Sequence, residues 1–74
     1  MGEPTLSPYT AIIQHRAPWW IGWIEEVPGV NCQEPTKKEL LETLRVTLAE
    51  VLEINRTNAR KAAGKGYEEV PLTL

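Results

Sequence analysis

The residues of this chain that could carry acid–base, nucleophilic or metal chemistry are ten glutamates, one histidine and one cysteine, with no aspartate. Glu25 and Glu26 are adjacent, and neighbouring side chains of a strand point to opposite faces, so these two carboxylates cannot share one metal ion. His15 has no identifiable partner that would make it a general base. Cys32 has no second cysteine for a disulfide or a zinc site. The sequence therefore predicts a protein that is not an enzyme and has no cofactor or metal site.

Length and charge narrow the class of protein further. A chain of 74 residues, 42% hydrophobic and 24% charged, has the composition of one small globular domain, whose limited core would gain stability from self-association. The net charge of −2 provides no overall basic field to attract nucleic acid. No stretch has the roughly 20 apolar residues of a membrane span, and the N-terminus lacks the basic and apolar regions of a signal peptide. Together with the unpaired cysteine, these features predict a cytoplasmic protein.

The first half of the chain reads as strands. Two prolines in residues 1–8 predict a flexible N-terminal lead, and a single domain is expected over residues 9–74. β-Branched and aromatic residues predict strands over residues 9–15 and 19–27, and a shorter strand over residues 30–33. A Pro-Gly pair between the last two predicts the turn that makes them antiparallel.

The hydrophobic period then changes to that of a helix. Thr36 and Glu39 form the Thr-x-x-Glu pattern of a capping box, which predicts a helix over residues 37–63 that ends at Gly64 or Gly66. The apolar residues that recur at spacings of three and four, and that predict one buried stripe, are Leu40, Leu41, Leu44, Leu48, Val51 and Leu52.

Residues 67–74 form a fourth strand candidate. Pro71 cannot donate a ladder hydrogen bond, so this strand is expected to be short or to lie at a sheet edge. The predicted order is β-β-β-α-β. The expected fold class is α+β, with a small antiparallel sheet and one long helix packed on one of its faces.

All three tryptophans lie in the second predicted strand, where period two divides the side chains between two faces. Gly22 would allow another element to approach closely, so we expect Trp20, Gly22 and Ile24 to lie under the helix. The opposite face then holds Trp19, Ile21 and Trp23. Ile12 or Ile13 would extend this second face into an apolar patch, which predicts a surface for self-association or for a partner. The alternative is that the N-terminal segment folds back over the patch.

The motifs in this region carry a resemblance to a known family. The run WIGWIEEVPG, followed by a short strand and by TKKELLETL, resembles the HicB-like antitoxin family over roughly residues 9–74. The family pattern has an acidic and an apolar residue before Pro-Gly, and a Thr-x-x-Glu helix start. In this chain Pro28, Gly29, Thr36 and Glu39 occupy those positions.

The resemblance implies a fold like part of a ribonuclease H domain and a role in a toxin-antitoxin system. Its members bind and occlude a HicA-like toxin, a small mRNA-cleaving protein, and form dimers or tetramers. Family members often carry a C-terminal operator-DNA-binding domain, which we do not expect in this chain. From the residues themselves we expect Glu25, Glu26 and Glu34 to form an acidic rim that would face such a basic partner.

Two other functions stay open at this stage. The chain could be a stand-alone homo-oligomer of the same fold with no toxin partner and an unknown regulatory role. The other alternative, which is less favoured, is an RNA-binding module. It is considered because exposed tryptophans can stack on bases. The basic residues at the predicted end of the helix, which would contact the phosphates, are Arg56, Arg60, Lys61 and Lys65.

Overall fold

The computed structural model describes residues 8–73 and contains a three-stranded antiparallel sheet and one long helix. The elements follow one another as β1 (Ala11–Arg16), β2 (Trp19–Ile24), β3 (Asn31–Glu34) and α1 (Lys37–Ala63). The strands lie in the order β1-β2-β3, with α1 packed on one face of the sheet. This architecture confirms the α+β fold class expected from the sequence.

The sheet register follows from the two-residue connection between β1 and β2. Arg16 pairs with Trp19, and continuing the ladder places Ile12 opposite Trp23 and Ile13 opposite Gly22. In the second ladder Trp20 pairs with Glu34, and Gly22 pairs with Cys32. Side chains of directly opposed residues share a face, so each face of the sheet is fixed by these pairs.

The helix begins where the capping pattern predicts. Thr36 is the N-cap residue, and its hydroxyl oxygen accepts from the backbone N–H of Glu39 at 3.1 Å and donates to the Glu39 carboxylate at 2.9 Å. Gly64 ends the helix, and its N–H donates to the Arg60 carbonyl. These contacts satisfy backbone groups that would otherwise be orphaned at the two helix ends.

The direction of α1 is fixed by two contacts with β3. The Thr43 hydroxyl donates to the Glu34 carboxylate at 2.8 Å, and Cys32 Sγ donates to Thr47 Oγ1 at 3.7 Å. As the helix advances from Thr43 to Thr47, its partner in β3 moves back by two residues. The helix therefore runs antiparallel to β3, and its C-terminal end lies toward the end of the sheet where β1 begins.

The core lies between α1 and the sheet. Its buried residues come from the helix, from the end of β2 and from the Pro-Gly turn, and they are Ile24, Val27, Val30, Leu40 and Leu44. Trp20, Ile13, Leu48, Val51 and Leu52 are half-buried and pack against this cluster. Gly29 has a φ of 91°, which few other residues adopt, so the turn can return the chain with Val27 and Val30 both inside.

Two expectations about buried residues and strands are wrong. Leu41 is 40% exposed, because it lies at the rim of the helical stripe, where the narrow sheet does not reach. Residues 67–73 form no strand and are exposed throughout. Pro71 offers no N–H, and Glu69, two residues before it, accepts a hydrogen bond from Arg60 at the end of α1. The order over the described residues is thus β-β-β-α.

The predicted flexible lead, residues 1–8, lies almost entirely outside the residues described here, which begin at Pro8. The single helix found in residues 8–73 is not apolar enough over a sufficient length to cross a membrane.

Candidate functional site

The sheet has one face covered by α1 and one face that no element within residues 8–73 covers, called here the open face. The open face follows from the strand register, and its side chains are Ile12, Gln14, Arg16, Trp19, Ile21, Trp23, Asn31 and Gln33. The sequence-predicted face residues Trp19, Ile21 and Trp23 all lie on it. The structure also decides that Ile12, rather than Ile13, extends this face.

The centre of the open face is apolar. Ile12, Ile21 and Trp23 are half-buried by one another, since Ile12 and Trp23 are directly opposed and Ile21 is two residues from Trp23 on β2. Trp19 continues the row to the hairpin end and is 41% exposed. Three large side chains and a fourth at one end form a contiguous apolar surface of the kind that marks an interaction site.

Amides and one cation border this apolar centre. On β1, the Arg16 guanidinium donates to the Gln14 side-chain oxygen at 2.8 Å. On β3, Asn31 and Gln33 line a shallow groove of about 300 Å³ together with Ile21 and Trp23. An apolar centre with a rim of hydrogen-bonding groups is the usual arrangement of a protein–protein interface.

The helix-covered face shows why the two faces differ. A Cβ on Gly22 would lie 3.1 Å from Leu44 Cδ1 and 3.0 Å from the Ile12 carbonyl oxygen, so α1 packs against the bare backbone at this point. Trp20 fills the space beside it, and its ring stacks on His15 with centroids 4.7 Å apart. The prediction that Trp20, Gly22 and Ile24 lie under the helix is confirmed.

The three glutamates predicted to form one acidic rim do not come together. Glu25 and Glu26 follow β2 directly, and both are exposed. Glu34 pairs with Trp20 at the opposite end of the sheet, and its carboxylate accepts from Thr43 on the helix side. The rim expected from the sequence is therefore reduced to the Glu25–Glu26 pair, because the register of β3 carries Glu34 away from it.

Glu26 also has a structural contact. The backbone N–H of Thr10 donates to its carboxylate at 2.6 Å, and the N–H of Glu25 donates to the Thr10 carbonyl at 2.8 Å. The Thr10 hydrogen bond favours the ionised form and lowers the pKa of the Glu26 carboxyl below its ordinary value. Both glutamates remain exposed, and the Glu26 carboxylate is also engaged in this hydrogen bond.

The basic residues at the end of α1 are partly neutralised and lie apart from the tryptophans. Arg56 forms an ion pair with Glu53 at 3.6 Å, and Arg60 forms one with Glu69 at 3.3 Å. The Glu69 carboxylate raises the pKa of Arg60 above its ordinary value. The open face is on the other side of the sheet from α1, so bases stacked there would not have their phosphates at this cluster.

The remaining candidates for chemistry are dispersed. No group of three His, Cys, Asp or Glu side chains within residues 8–73 is placed to hold a metal ion. Cys32 is half-buried and directed to Thr47 rather than to the open face. The ring contact of His15 is with Trp20, not with a carboxylate.

Sequence reasoning missed four of the open-face side chains: Gln14, Arg16, Asn31 and Gln33. A signal for the β1 pair was present, because the two-residue connection at Ala17 and Pro18 fixes which β1 residues share a face with Trp19. The β3 pair had no such local signal. Its register depends on how Val27 and Val30 pack into the core.

Comparison with models of known protein families gives no match, and searches of curated proteins and of solved structures give no significant match.

Proposed function

We propose that this chain is a non-catalytic protein-interaction domain of the HicB antitoxin type, which binds a HicA-like mRNA-cleaving toxin and occludes it. The observation that carries the proposal is the open face, an apolar surface on a sheet whose other face already supplies the core. The motif resemblance of the Pro-Gly turn and of the Thr36–Glu39 helix start supports the choice of partner. The dispersal of the titratable side chains supports a role without catalysis.

Charge supports a basic partner beside the open face. Glu25 is exposed next to the end of β2, close to Trp23 along the strand, whereas the interior of the face contains no carboxylate. A toxin that binds RNA carries a basic surface, and an acidic residue at the rim would orient and speed its docking. Arg16 lies at the far end of the same face, so the charge is polarised along β2.

The test is co-expression with the short basic protein encoded by the neighbouring reading frame, if that frame has a histidine and a Gly-rich helix start. The wild-type chain is expected to form a complex with this protein and to stop its cleavage of mRNA. Trp23→Glu should abolish both effects. Val46→Glu is the matched control, because Val46 is 51% exposed on α1 and away from the open face. A toxin that Trp23→Glu still inhibits fully contradicts the proposed surface.

The electrostatic part of the proposal has its own test. Glu25→Lys with Glu26→Lys should weaken toxin binding, with the loss greatest at low salt, since rim charges act through screened fields. Glu26→Gln alone separates the charge from the Thr10 hydrogen bond, because the amide oxygen still accepts. Glu42→Lys with Glu50→Lys on α1 makes the same charge change elsewhere. Equal binding by all these variants at every salt concentration contradicts a role for the acidic pair.

A stand-alone homo-oligomer is the second candidate function, and the same face favours it. A self-complementary apolar surface can be buried by a second copy as well as by another protein. Light scattering of the purified chain tests this candidate: if the open face joins the copies, Trp23→Glu should lower the mass relative to the wild type, whereas Val46→Glu should not. An unchanged oligomer in Trp23→Glu would exclude the open face as the contact between copies.

RNA binding remains the third candidate. Titration of single-stranded RNA at low salt, with tryptophan fluorescence as the signal, tests it directly, since Trp19 and Trp23 are accessible. We expect no quenching, because the basic end of α1 is remote from both rings. Quenching that saturates would favour the RNA-binding module over the antitoxin.

A further inference from the structure

The segment after α1, residues 67–73 and called here the C-terminal segment, carries apolar side chains that are largely exposed. Tyr67 is 44% exposed, Val70 66% and Leu72 85%. Val70 and Leu72 are two residues apart, so in an extended conformation they share one side. An extended stretch with two apolar side chains on one side is the pattern of a strand without a sheet.

The outer edge of β1 is a free sheet edge that could pair with such a strand. No strand in residues 8–73 pairs with it. The Glu25 N–H donates to the Thr10 carbonyl, and hydrogen-bonded residues alternate along an antiparallel ladder. The backbone groups of Ala11, Ile13 and His15 therefore point away from β2, toward the free edge. Because α1 packs mainly on β2 and β3, β1 is the strand that the helix covers least.

We propose that the C-terminal segment of one copy adds to β1 of a second copy as an antiparallel strand. The pairs in this register are Glu68 with His15, Val70 with Ile13 and Leu72 with Ala11. Val70 and Leu72 then lie on the helix side, beside the half-buried Ile13, and extend the core over the uncovered flank. Strand addition of this kind draws its affinity from main-chain hydrogen bonds and its specificity from alternate side chains.

Pro71 fixes the register. With Val70 and Leu72 in the hydrogen-bonded positions opposite the outward-facing β1 residues, the nitrogen of Pro71 points away from the sheet, where no hydrogen is needed. A shift by one residue would place Pro71 in a hydrogen-bonded position and lose a ladder bond. It would also move Val70 and Leu72 to the other side of the strand.

Charge fixes the direction. In the antiparallel arrangement both glutamates lie at the hairpin end of β1. Glu69 is opposite Gln14 on the open-face side, diagonal to Arg16, whose guanidinium donates to the neutral Gln14 side chain, and Glu68 is opposite His15 on the helix side. A parallel strand would bring the same two glutamates to the beginning of β1, where the neighbouring β2 ends in Glu25 and Glu26. Like charges placed opposite each other destabilise a strand pair, and opposite charges stabilise it.

The direction also decides that the segment comes from a second copy. The helix of 27 residues is about 40 Å long and runs away from the hairpin end of the sheet. The four residue-to-residue steps from Gly64 to Glu68 span at most about 13 Å, so Glu68 cannot return to His15 of its own chain. A second copy removes this constraint. The cost is the exchange of the exposed Arg60–Glu69 pair for contacts with Arg16, and exposed ion pairs contribute little.

Disulfide trapping between two variants tests the geometry. In a Cys32→Ser background, Ala11→Cys protein is mixed with Leu72→Cys protein and oxidised. The expected product is a cross-linked heterodimer, because Ala11 and Leu72 are directly opposed in the proposed register. His15→Cys mixed with Leu72→Cys is the control for a parallel strand, in which Leu72 would lie beside His15 on the helix side. Cross-linking of the control pair alone, or of neither pair, overturns the proposal.

A charge exchange tests the same contact in solution. Light scattering should give twice the mass of one chain for the wild type, and Glu68→Arg with Glu69→Arg should weaken the dimer by about tenfold or more at low salt. Adding Arg16→Glu should restore it. Glu42→Arg with Glu50→Arg on α1 is the control and should change nothing. A monomeric wild type, or a dimer indifferent to the tail charges, contradicts the proposal. Both experiments use copies of this chain alone, so their outcome is independent of toxin binding.

Discussion

The two faces of β2 carry similar apolar side chains, isoleucine and tryptophan, but differ in burial. On the covered face, Ile24 is 6% exposed and Gly22 lets α1 approach the backbone. On the open face, Ile21 and Trp23 come from the same strand and are only half-buried. The difference shows that apolar composition does not assign a face to the core. The residue that assigns it is the glycine, because a helix packs on the face that has room for it.

The largest expected effect compares two isoleucines of β2 that differ only in face. Ile24→Ala should reduce the free energy of unfolding by about 2–5 kcal/mol, which is a large part of the stability of so small a domain. Ile21→Ala should cost clearly less in a dilute, monomeric sample, since its side chain is already partly in water. Urea unfolding of both variants measures the difference.

The stabilities of the same two variants should also depend differently on protein concentration. If another molecule covers the open face, the cost of Ile21→Ala should rise with concentration or on addition of the partner, because binding to the folded state adds to stability. The cost of Ile24→Ala should stay constant. Equal costs for the two variants in a monomeric sample would mean that the open face is part of the folding core.

The second prediction concerns the space at Gly22, which allows α1 to pack closely on the covered face of the sheet. Gly22→Ala would place a methyl group 3.0 Å from the Ile12 carbonyl oxygen and 3.1 Å from Leu44 Cδ1, and backbone on one side cannot move easily. We expect a loss of about 1–3 kcal/mol, as for other overpacked sites. Thermal unfolding followed by circular dichroism measures it. A stabilised variant would show that α1 can shift outward without loss of contact.

The third effect loosens the start of the covering helix. Thr36→Ala removes the oxygen that accepts the Glu39 N–H, and loss of an N-cap side chain costs about 1 kcal/mol. Thr36→Ser keeps the acceptor and should retain most of the stability. Urea unfolding compares the two variants. A Thr36→Ala variant as stable as Thr36→Ser would show that the packing of Leu40 alone holds this end of α1.

The smallest expected effect concerns the Glu26 carboxylate at the end of the sheet and depends on pH. Because the folded-state pKa of Glu26 is lowered, its carboxylate contributes stability above the ordinary glutamate pKa near 4.5, and that contribution is lost as pH falls through the lower folded value. The wild type should therefore lose slightly more stability than Glu26→Gln on acidification below pH 4.5. Urea midpoints measured from neutral to acidic pH test this, and parallel curves for the two proteins would contradict it.

Much of the fold could be predicted because its signals are local. The capping residues Thr36 and Glu39 defined the start of α1, Gly64 defined its end, and the spacing of Leu40 and Leu44 defined its buried side. Period two and a single glycine divided β2 correctly between two faces. Each of these signals lies within one element, so nearby residues alone decide the outcome.

The candidate site was predicted less completely because its parts meet through pairing between elements. Glu34 lies at the far end of the sheet from Glu25, a separation that arises from the register of β3 and not from the spacing of the two residues in the chain. The predicted fourth strand depended on a free edge within reach of residues 67–73. The helix carries those residues away from such an edge.

The sequence by itself determined the α+β class, the helix and the two sets of side chains on β2, because hydrophobic period and capping act over a few residues. Only the tertiary structure decided that Ile12 joins Trp23, that the acidic rim divides, and that the C-terminal segment stays outside its own sheet. Those outcomes depend on register and on helix direction. Both are set by contacts between residues far apart in the chain. Local sequence patterns do not contain the free energies of those contacts.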